Sequence, residues 1–279
     1  MLAKLQSDPF VQDNFIWEQK YDGARIIAVI QDGNVRLFSR SGKEKTAMFP
    51  DIKIHSNANA VLDGEIVSGN SFNDLQHRVN RQNGIAQSVK EFPAKYAVFD
   101  ILEARDIDVR NQPLWRRKEL LNLILVETDK VSIAPYVQDG VTLFDFMKEH
   151  QLEGVIGKPL NSQYIEGNRS NWLKVKTWQQ GNFIVVGYTK GTGWRENLFG
   201  AMVLSDTAGN YVGSVGTGFD DQQIKELMGC FHPGTCPWPR DPEPATWILP
   251  FPVKIQYLEY TNDGKLRFPS FKGLAETTT

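Results

Sequence analysis

Cysteine is nearly absent. The chain has two in 279 residues, Cys230 and Cys236, too few for a disulfide framework. With His232 between them they still lack the spacing of a zinc site, and the stretch reads as a proline-rich loop with incidental thiols. Histidine is as scarce, with four residues scattered too widely for a catalytic triad. Neither charge sign dominates: 31 basic residues face 33 acidic ones, for a net charge of −2. Any contact with nucleic acid must therefore come from local basic patches, because no global field supplies it. Long apolar runs are missing too. Nothing approaches the ~20 residues of a membrane span, and "MLAKLQSDPF" is too short an apolar stretch for a signal peptide, so the expectation is a cytoplasmic protein. There is no Walker A loop and no His-Glu-x-x-His. Internal repeats and low-complexity tracts are absent apart from the short "AETTT" tail.

What is present is a chain long enough for one large or two ordinary domains. At 41% hydrophobic and 23% charged, it is expected to fold around a packed core. Residues 1–180 read as mixed α and β. "ARIIAVI" and "VRLFS" flank "QDGN", a hairpin signal around Asp32-Gly33. "AVLDGEIV" and "KYAVFDIL" are of strand length. "PLWRRKELLNLILVE" carries its leucines at helical spacing, and "SFNDLQHRVNRQ" predicts a short helix that Ser71 caps. After Trp178 short strands alternate with glycine-rich turns, around a single helix, "DDQQIKELMGC", capped by Asp220 or Asp221. That pattern predicts a small β-barrel over residues 181–279. The polar Gln179-Gln180-Gly181 is the expected hinge.

Charged residues recur in short clusters at strand edges: "EQKYDGAR", "FSRSG", "LDGEIV", "VFDIL", "EGVIGKP" and "NWLKVK". Lys20 is a candidate amine nucleophile. A free lysine titrates near ~10.4, so burial or neighbouring cations must lower it for the task. Lys174 and Lys176, two apart on a strand, share a face. Trp172, Leu173, Val175 and Trp178 suggest that the other face is packed. Two inward ammonium groups call for an anion such as phosphate. Glu65 and Glu153 are either surface charges or, beside those lysines, oxygen ligands for Mg2+ and ribose. Phe99 is either core or a stacking surface for a base. Arg40, just past a strand, can reach an external phosphate.

In this order the clusters resemble the motifs of the ATP-dependent DNA ligases, within the covalent nucleotidyltransferases. "KYDGAR" is similar to the nucleophile motif Lys-x-Asp-Gly-x-Arg, and "FGAMVLSD…VGSVGTGF" and "LRFPSFKGL" look like the oligonucleotide-binding-fold (OB-fold) domain of compact ligases. The resemblance runs from about residue 16 to residue 274. It implies an α+β chain, with a nucleotidyltransferase (adenylation) domain of mixed α/β sheets over residues 1–180 and an OB-fold β-barrel over 181–279. It implies a monomeric enzyme that uses ATP and Mg2+ to seal nicks in duplex DNA, without a membrane. By motif, Lys20 carries AMP, Glu18 and the backbone beside it read adenine, and Phe99 stacks on the base. Glu65 holds ribose or metal, Glu153 binds Mg2+, and Lys174 and Lys176 hold the α-phosphate. Arg25 and Arg40 contact the ribose side or the nick 5′-phosphate, and Arg169 is a further phosphate contact. The alternatives are an RNA ligase or capping-like relative, and a non-catalytic nucleic-acid-binding relative. Two departures stand out against the family: Lys20 comes almost at the start, with no large DNA-binding domain before it, and "FKGLAETTT" replaces a final Arg-x-Asp-Lys. The first predicts a salt-sensitive grip on DNA from the two domains alone, the second slow self-adenylylation.

Overall fold

The alternation in "ARIIAVI" sorts by face as expected. Ile26, Ala28 and Ile30 are buried on strand Ala24–Gln31, which pairs antiparallel with Asn34–Ser39. The two residues between them, Asp32 and Gly33, have φ of 50° and 77°, the geometry that matches the twist of paired strands. In this computed structural model, which describes residues 2–68, 72–80, 84–167, 171–261 and 263–275, that hairpin forms one edge of a six-stranded sheet. Inward from it lie Ala60–Ser68, Ala94–Ala104 and, parallel to the last, Val131–Ile133. Helix α1 (Phe72–Asn80) packs near Ala60–Ser68, α2 (Ile85–Glu91) follows it, and α3 (Leu114–Ile124) lies against Ala94–Ala104. Leu62, Ile66, Tyr96, Val98, Leu121 and Ile124 are among the residues that fill this core. Ser71, the expected cap of α1, lies outside the described residues.

A second sheet runs in the order Lys4–Leu5, Leu173–Lys176, Gly154–Pro159, Phe15–Gln19, Tyr136–Val137. One face is apolar: Phe15, Trp17, Val155 and Val175 pack with Met147 of α4 (Gly140–Glu149). Asp139 caps α4, accepting from the N–H groups of Val141 and Thr142, two of the helix's orphan donors. The opposite face carries Ile16 and Trp172. Register places Glu18, Ile156 and Lys174 side by side across three strands, with Gly154 opposite Lys176 in the next row. Residues directly opposite in a sheet share a face, so this row brings the charged clusters together. One expectation is corrected here. Trp172 lies on the same face as the two lysines, two residues before Lys174, and only Leu173 and Val175 pack behind them.

Glycine is required at two motif positions. A Cβ on Gly23 would sit 2.3 Å from the carbonyl oxygen of Ile66. Gly154 has φ +136°, and a Cβ there would lie 2.0 Å from the Val175 oxygen.

Residues 1–177 form one compact unit and residues 178–279 another. The second is a five-stranded antiparallel sheet in the order Tyr211–Val215, Phe199–Ser205, Gln179–Lys190, Thr246–Tyr257, Ser270–Leu274. Register shifts at Val185/Gly187 and Leu204/Ser205 bend its strands, as bulges do. Phe199, Met202, Leu204, Val253 and Ile255 fill its core with Ile224 and Leu227 of α5 (Asp221–Gly229). Asp220 caps α5 in a full capping box with Gln223. The expected hinge residues are not a free linker: Gln179, Gln180 and Gly181 are the first residues of a 12-residue strand and pair with Tyr257, Gln256 and Ile255. Their polarity reflects the open end of a strand. Cys230 and Cys236 are both free thiols, and among the described residues no group of three His, Cys, Asp or Glu side chains is placed to hold a metal. No described helix is long and apolar enough to cross a membrane.

Candidate active site

Lys20 follows directly on strand Phe15–Gln19, and its N–H donates to the Gly154 carbonyl at 2.8 Å. That bond ties the candidate nucleophile to the start of strand Gly154–Pro159. The preceding residue, Glu153, consequently reaches it: Lys20 Nζ donates to Glu153 Oε2. Lys176 Nζ lies 3.2 Å from the other oxygen, Oε1. The Glu153 side chain is 6% exposed, so one nearly buried carboxylate orders two ammonium groups.

Beside Lys20 opens a cleft of about 270 Å³, lined by Glu18, Lys20, Tyr21, Arg25, Arg40, Glu65, Phe99, Ile156, Lys158, Trp172 and Lys174, among others. Five cationic side chains against two carboxylates suit a polyanion. A larger cavity of about 420 Å³ has only Lys118 and Glu119 as charged lining and is less suited to one. Phe99 and Trp172 form an aromatic wall, ring centroids 6.2 Å apart and nearly perpendicular. With Ile156 they give the apolar flank that a base requires.

Arg25 is held rigidly at the rim. It donates to Asp63 through Nε (2.9 Å) and Nη2 (2.5 Å), and Nη2 also donates to the Tyr164 hydroxyl at 2.9 Å. Tyr164 in turn donates to Asp63 at 2.8 Å. The guanidinium carbon lies 5.6 Å from the Phe99 ring centroid. Glu18 is fixed from two sides: Oε1 lies 2.5 Å from Lys118 Nζ and Oε2 accepts from Lys158 Nζ at 2.6 Å.

Burial dominates the titration of these groups. It pushes the Glu65 carboxyl up to about 8, even though Lys20 and Arg25 pull the other way. It lowers the Lys158 ammonium to about 8 against the attraction of Glu18. Lys174 is lowered by burial and then by the charges of Lys176 and Lys20. A cleft in which one carboxyl rises and two ammoniums fall through burial is partly dry, a condition typical of reactive sites.

Of the residues singled out from sequence, Glu18, Lys20, Arg25, Arg40, Glu65, Phe99 and Lys174 line this one cleft. Glu153 and Lys176 join it through Lys20. Arg169 lies outside the described residues. Sequence reasoning missed Lys158, Ile156, Trp172, Tyr21 and the pair that holds Arg25, Asp63 and Tyr164. Three of these carry a signal in hindsight: Ile156 and Lys158 alternate within "EGVIGKP", and Trp172 precedes Lys174 by two.

Comparison with known proteins adds the following. Residues 1–176 match the family profile described as ATP dependent DNA ligase domain, and residues 190–277 match ATP dependent DNA ligase C terminal region. The chain is 29% identical to the multifunctional non-homologous end joining protein LigD of Mycolicibacterium smegmatis, over 94% of this chain and 36% of that protein. It is 33% identical to a DNA ligase of Pyrobaculum islandicum, over 84% of this chain and 46% of that one. It thus spans about a third to a half of the length of these curated relatives. The SPbeta prophage-derived DNA ligase-like protein LigB of Bacillus subtilis is 29% identical, with 98% of this chain and 97% of that protein covered. Among solved structures, the ligase domain of M. tuberculosis LigD matches with a TM-score of 0.53 at 25% identity, covering 98% of this chain and 95% of that one. A Lig E DNA ligase shares the fold, with a TM-score of 0.67 at 17% identity over 99% of this chain and 100% of that one.

Proposed function

From a chain that belongs to the ATP-dependent DNA ligase family, we propose an enzyme that seals nicks in duplex DNA by way of a covalent Lys20–AMP adduct. The observation that carries this is the environment of Lys20. Its amine sits at the edge of a cationic, aromatic-walled cleft and is already ordered by Glu153.

In the first step the Lys20 Nζ lone pair attacks the α-phosphorus of ATP. A P–N bond forms, the bond to the bridging oxygen breaks, and pyrophosphate leaves with the electron pair. Nζ gives up two protons on the way from ammonium to phosphoramidate: the first, which exposes the lone pair, has Glu153 Oε2 as the acceptor already in contact, and the second leaves to solvent as the P–N bond forms. Lys174, with Lys176 behind it, offsets charge at the α-phosphate, and Arg25 and Arg40 face the ribose side and the entering DNA phosphate. Phe99 stacks on the base with Ile156 and Trp172, and Glu18 faces the base edge. In the second step a 5′-phosphate oxygen of the nick attacks the same phosphorus, and Lys20 leaves and regains its proton. In the third the 3′-hydroxyl attacks the activated 5′-phosphate and AMP departs. Little is asked of the protein beyond position and charge neutralisation, and splitting the exchange into two transfers lowers each barrier.

Glu65 and Glu153, close enough that the Glu153 charge helps raise the Glu65 carboxyl, are the carboxylates that would hold Mg2+. Two oxygen donors suffice for an ion that keeps its waters and binds phosphate, and when bound it offsets charge on the reacting phosphates. Residues 1–177 serve as the adenylation domain and 178–279 as an OB-fold domain that grips DNA. The reading is completed by a monomer acting in the cytoplasm.

Intact mass after incubation with ATP and Mg2+ tests this. A gain of one AMP is expected in the native chain and none in Lys20→Ala. An adduct that survives the substitution would remove Lys20 from its role.

A further inference from the structure

Helix α3 is a core element, yet it sends a lysine to the Glu18 carboxylate. Its buried face carries Leu114, Arg117, Lys118, Leu121 and Ile124. Arg117 is consumed by Asp100, with bonds of 2.7 and 2.9 Å. Lys118, one residue on, has a side chain only 3% exposed and reaches Glu18 Oε1 at 2.5 Å. Glu18 Oε2 is already matched by Lys158 at 2.6 Å. One ammonium would balance one carboxylate. A second buried cation costs desolvation and is not required for charge neutrality, so its presence calls for another account.

Geometry supplies one. Lys118 approaches from the side of the larger cavity, which it lines with Ile16 and Tyr136. Lys158 approaches from the cleft side, 4.0 Å from the Trp172 ring centroid and 4.6 Å from that of Phe99. Lys118 meets Oε1 as an ion pair and Lys158 hydrogen-bonds Oε2, so turning the carboxylate about its last bond would part opposite charges, and its remaining lone pairs stay aimed in one direction. An ionised carboxylate only accepts. It therefore matches the exocyclic N–H of a 6-aminopurine and opposes the carbonyl oxygen of a 6-oxopurine. If Glu18 were held by Lys158 alone, the two could swing together and present the ammonium to that carbonyl.

We infer that Lys118 is a positioning residue for the nucleotide base, fixing Glu18 so that the cleft prefers 6-aminopurine over 6-oxopurine triphosphates. The inference rests on the proposed contact between Glu18 and the base, and the experiment separates the two. Self-labelling of the full chain with Mg2+ is followed by intact mass using ATP, GTP and a purine riboside triphosphate that lacks the 6-amino group. Native protein should favour ATP over both. Lys118→Met should raise the ATP concentration for half-maximal labelling about tenfold and cut the ATP:GTP preference about ten- to a hundredfold, the worth of one misaligned charge-assisted bond. The saturating rate with ATP should change far less, and Lys118→Arg should restore most of the preference. In a Glu18→Gln background, Lys118→Met should add nothing further.

If native protein labels equally with ATP and the purine analogue, the Glu18 contact is wrong. If native protein discriminates and Lys118→Met discriminates just as well, the positioning role is wrong. A loss confined to melting temperature and saturating rate, unrescued by arginine, would mean a purely structural lysine and also overturns it. Should Lys118→Met not fold, Lys118→Gln, which keeps a donor without charge, is read in the same way.

Discussion

At the scale of single residues, the site separates groups that serve every step from groups that serve one. Arg40 is exposed at the rim of the cleft, where the proposed reaction brings in a DNA phosphate only after its first step. Arg40→Ala should leave adduct formation near native and slow sealing about ten- to a hundredfold, the loss of one charge-assisted bond. Lys176→Ala should slow adduct formation and sealing alike, because Glu153 and the α-phosphate are present throughout. Single-turnover rates for each step check the division, and equal damage to adduct formation in both variants would refute it. Glu65 makes a second prediction. Its carboxyl titrates at about 8 when folded, against an ordinary 4.5. Between those values the folded chain holds a proton that the unfolded chain has released, so this group's contribution to stability falls as pH rises through the window. Glu65→Gln should flatten that fall. Thermal unfolding from pH 5 to 8 in chelator measures it, and an unchanged slope would show that Glu65 is not the group responsible.

At the scale of elements, what was legible in the sequence was local. The Asp32-Gly33 hairpin, the Asp220 cap and the buried stripe of "ARIIAVI" each follow from chemistry within a few residues, and each stands in the fold. The ordered clusters located Lys20, Glu65 and Phe99 through their resemblance to the ligase motifs, and paired Lys174 with Lys176 because strand parity is readable from spacing. Lys118 was not legible. A lysine in a helix facing the core looks like a surface charge until the sheet that brings Glu18 to it is known. Gln179-Gly181 was misread for the converse reason: polar residues at a strand end resemble a linker. The same buried face of α3 carries a stability prediction. Asp100 and Arg117 are both fully buried, so Arg117→Met strands a carboxylate and should cost ~3–5 kcal/mol, while adding Asp100→Leu should recover much of it. Urea midpoints of the single and double variants decide this, and a double variant as unstable as the single would exclude the ion-pair account.

At the scale of the whole molecule, the division at Thr177/Trp178 fixes where a fragment should end. Residues 1–177 keep both sheets and the cleft intact, whereas a cut after Gln180 would carry away the first two residues of a strand belonging to the second unit. The 1–177 fragment should fold cooperatively and bind ATP, yet seal nicks at least a hundredfold more slowly. Undiminished sealing would make the second unit dispensable. The residue at that division has another property. Thr177 donates its N–H to the Glu153 carbonyl at 3.1 Å, and its hydroxyl bonds the Leu152 carbonyl. The last joint of the first unit is thus anchored on the residue whose carboxylate grips Lys20 and Lys176. Mechanically this is a lever: tension at the joint is felt at the nucleophile. Linkage is reciprocal, so converting the Lys20 ammonium into a phosphoramidate, with an uncharged nitrogen and an anionic phosphoryl group, should remove one of Glu153's two holds and slacken the joint. Deuterium should then enter the Thr177 amide faster in the adenylylated chain than in the free one, making the covalent state of Lys20 readable at the peptide that leads into the next unit.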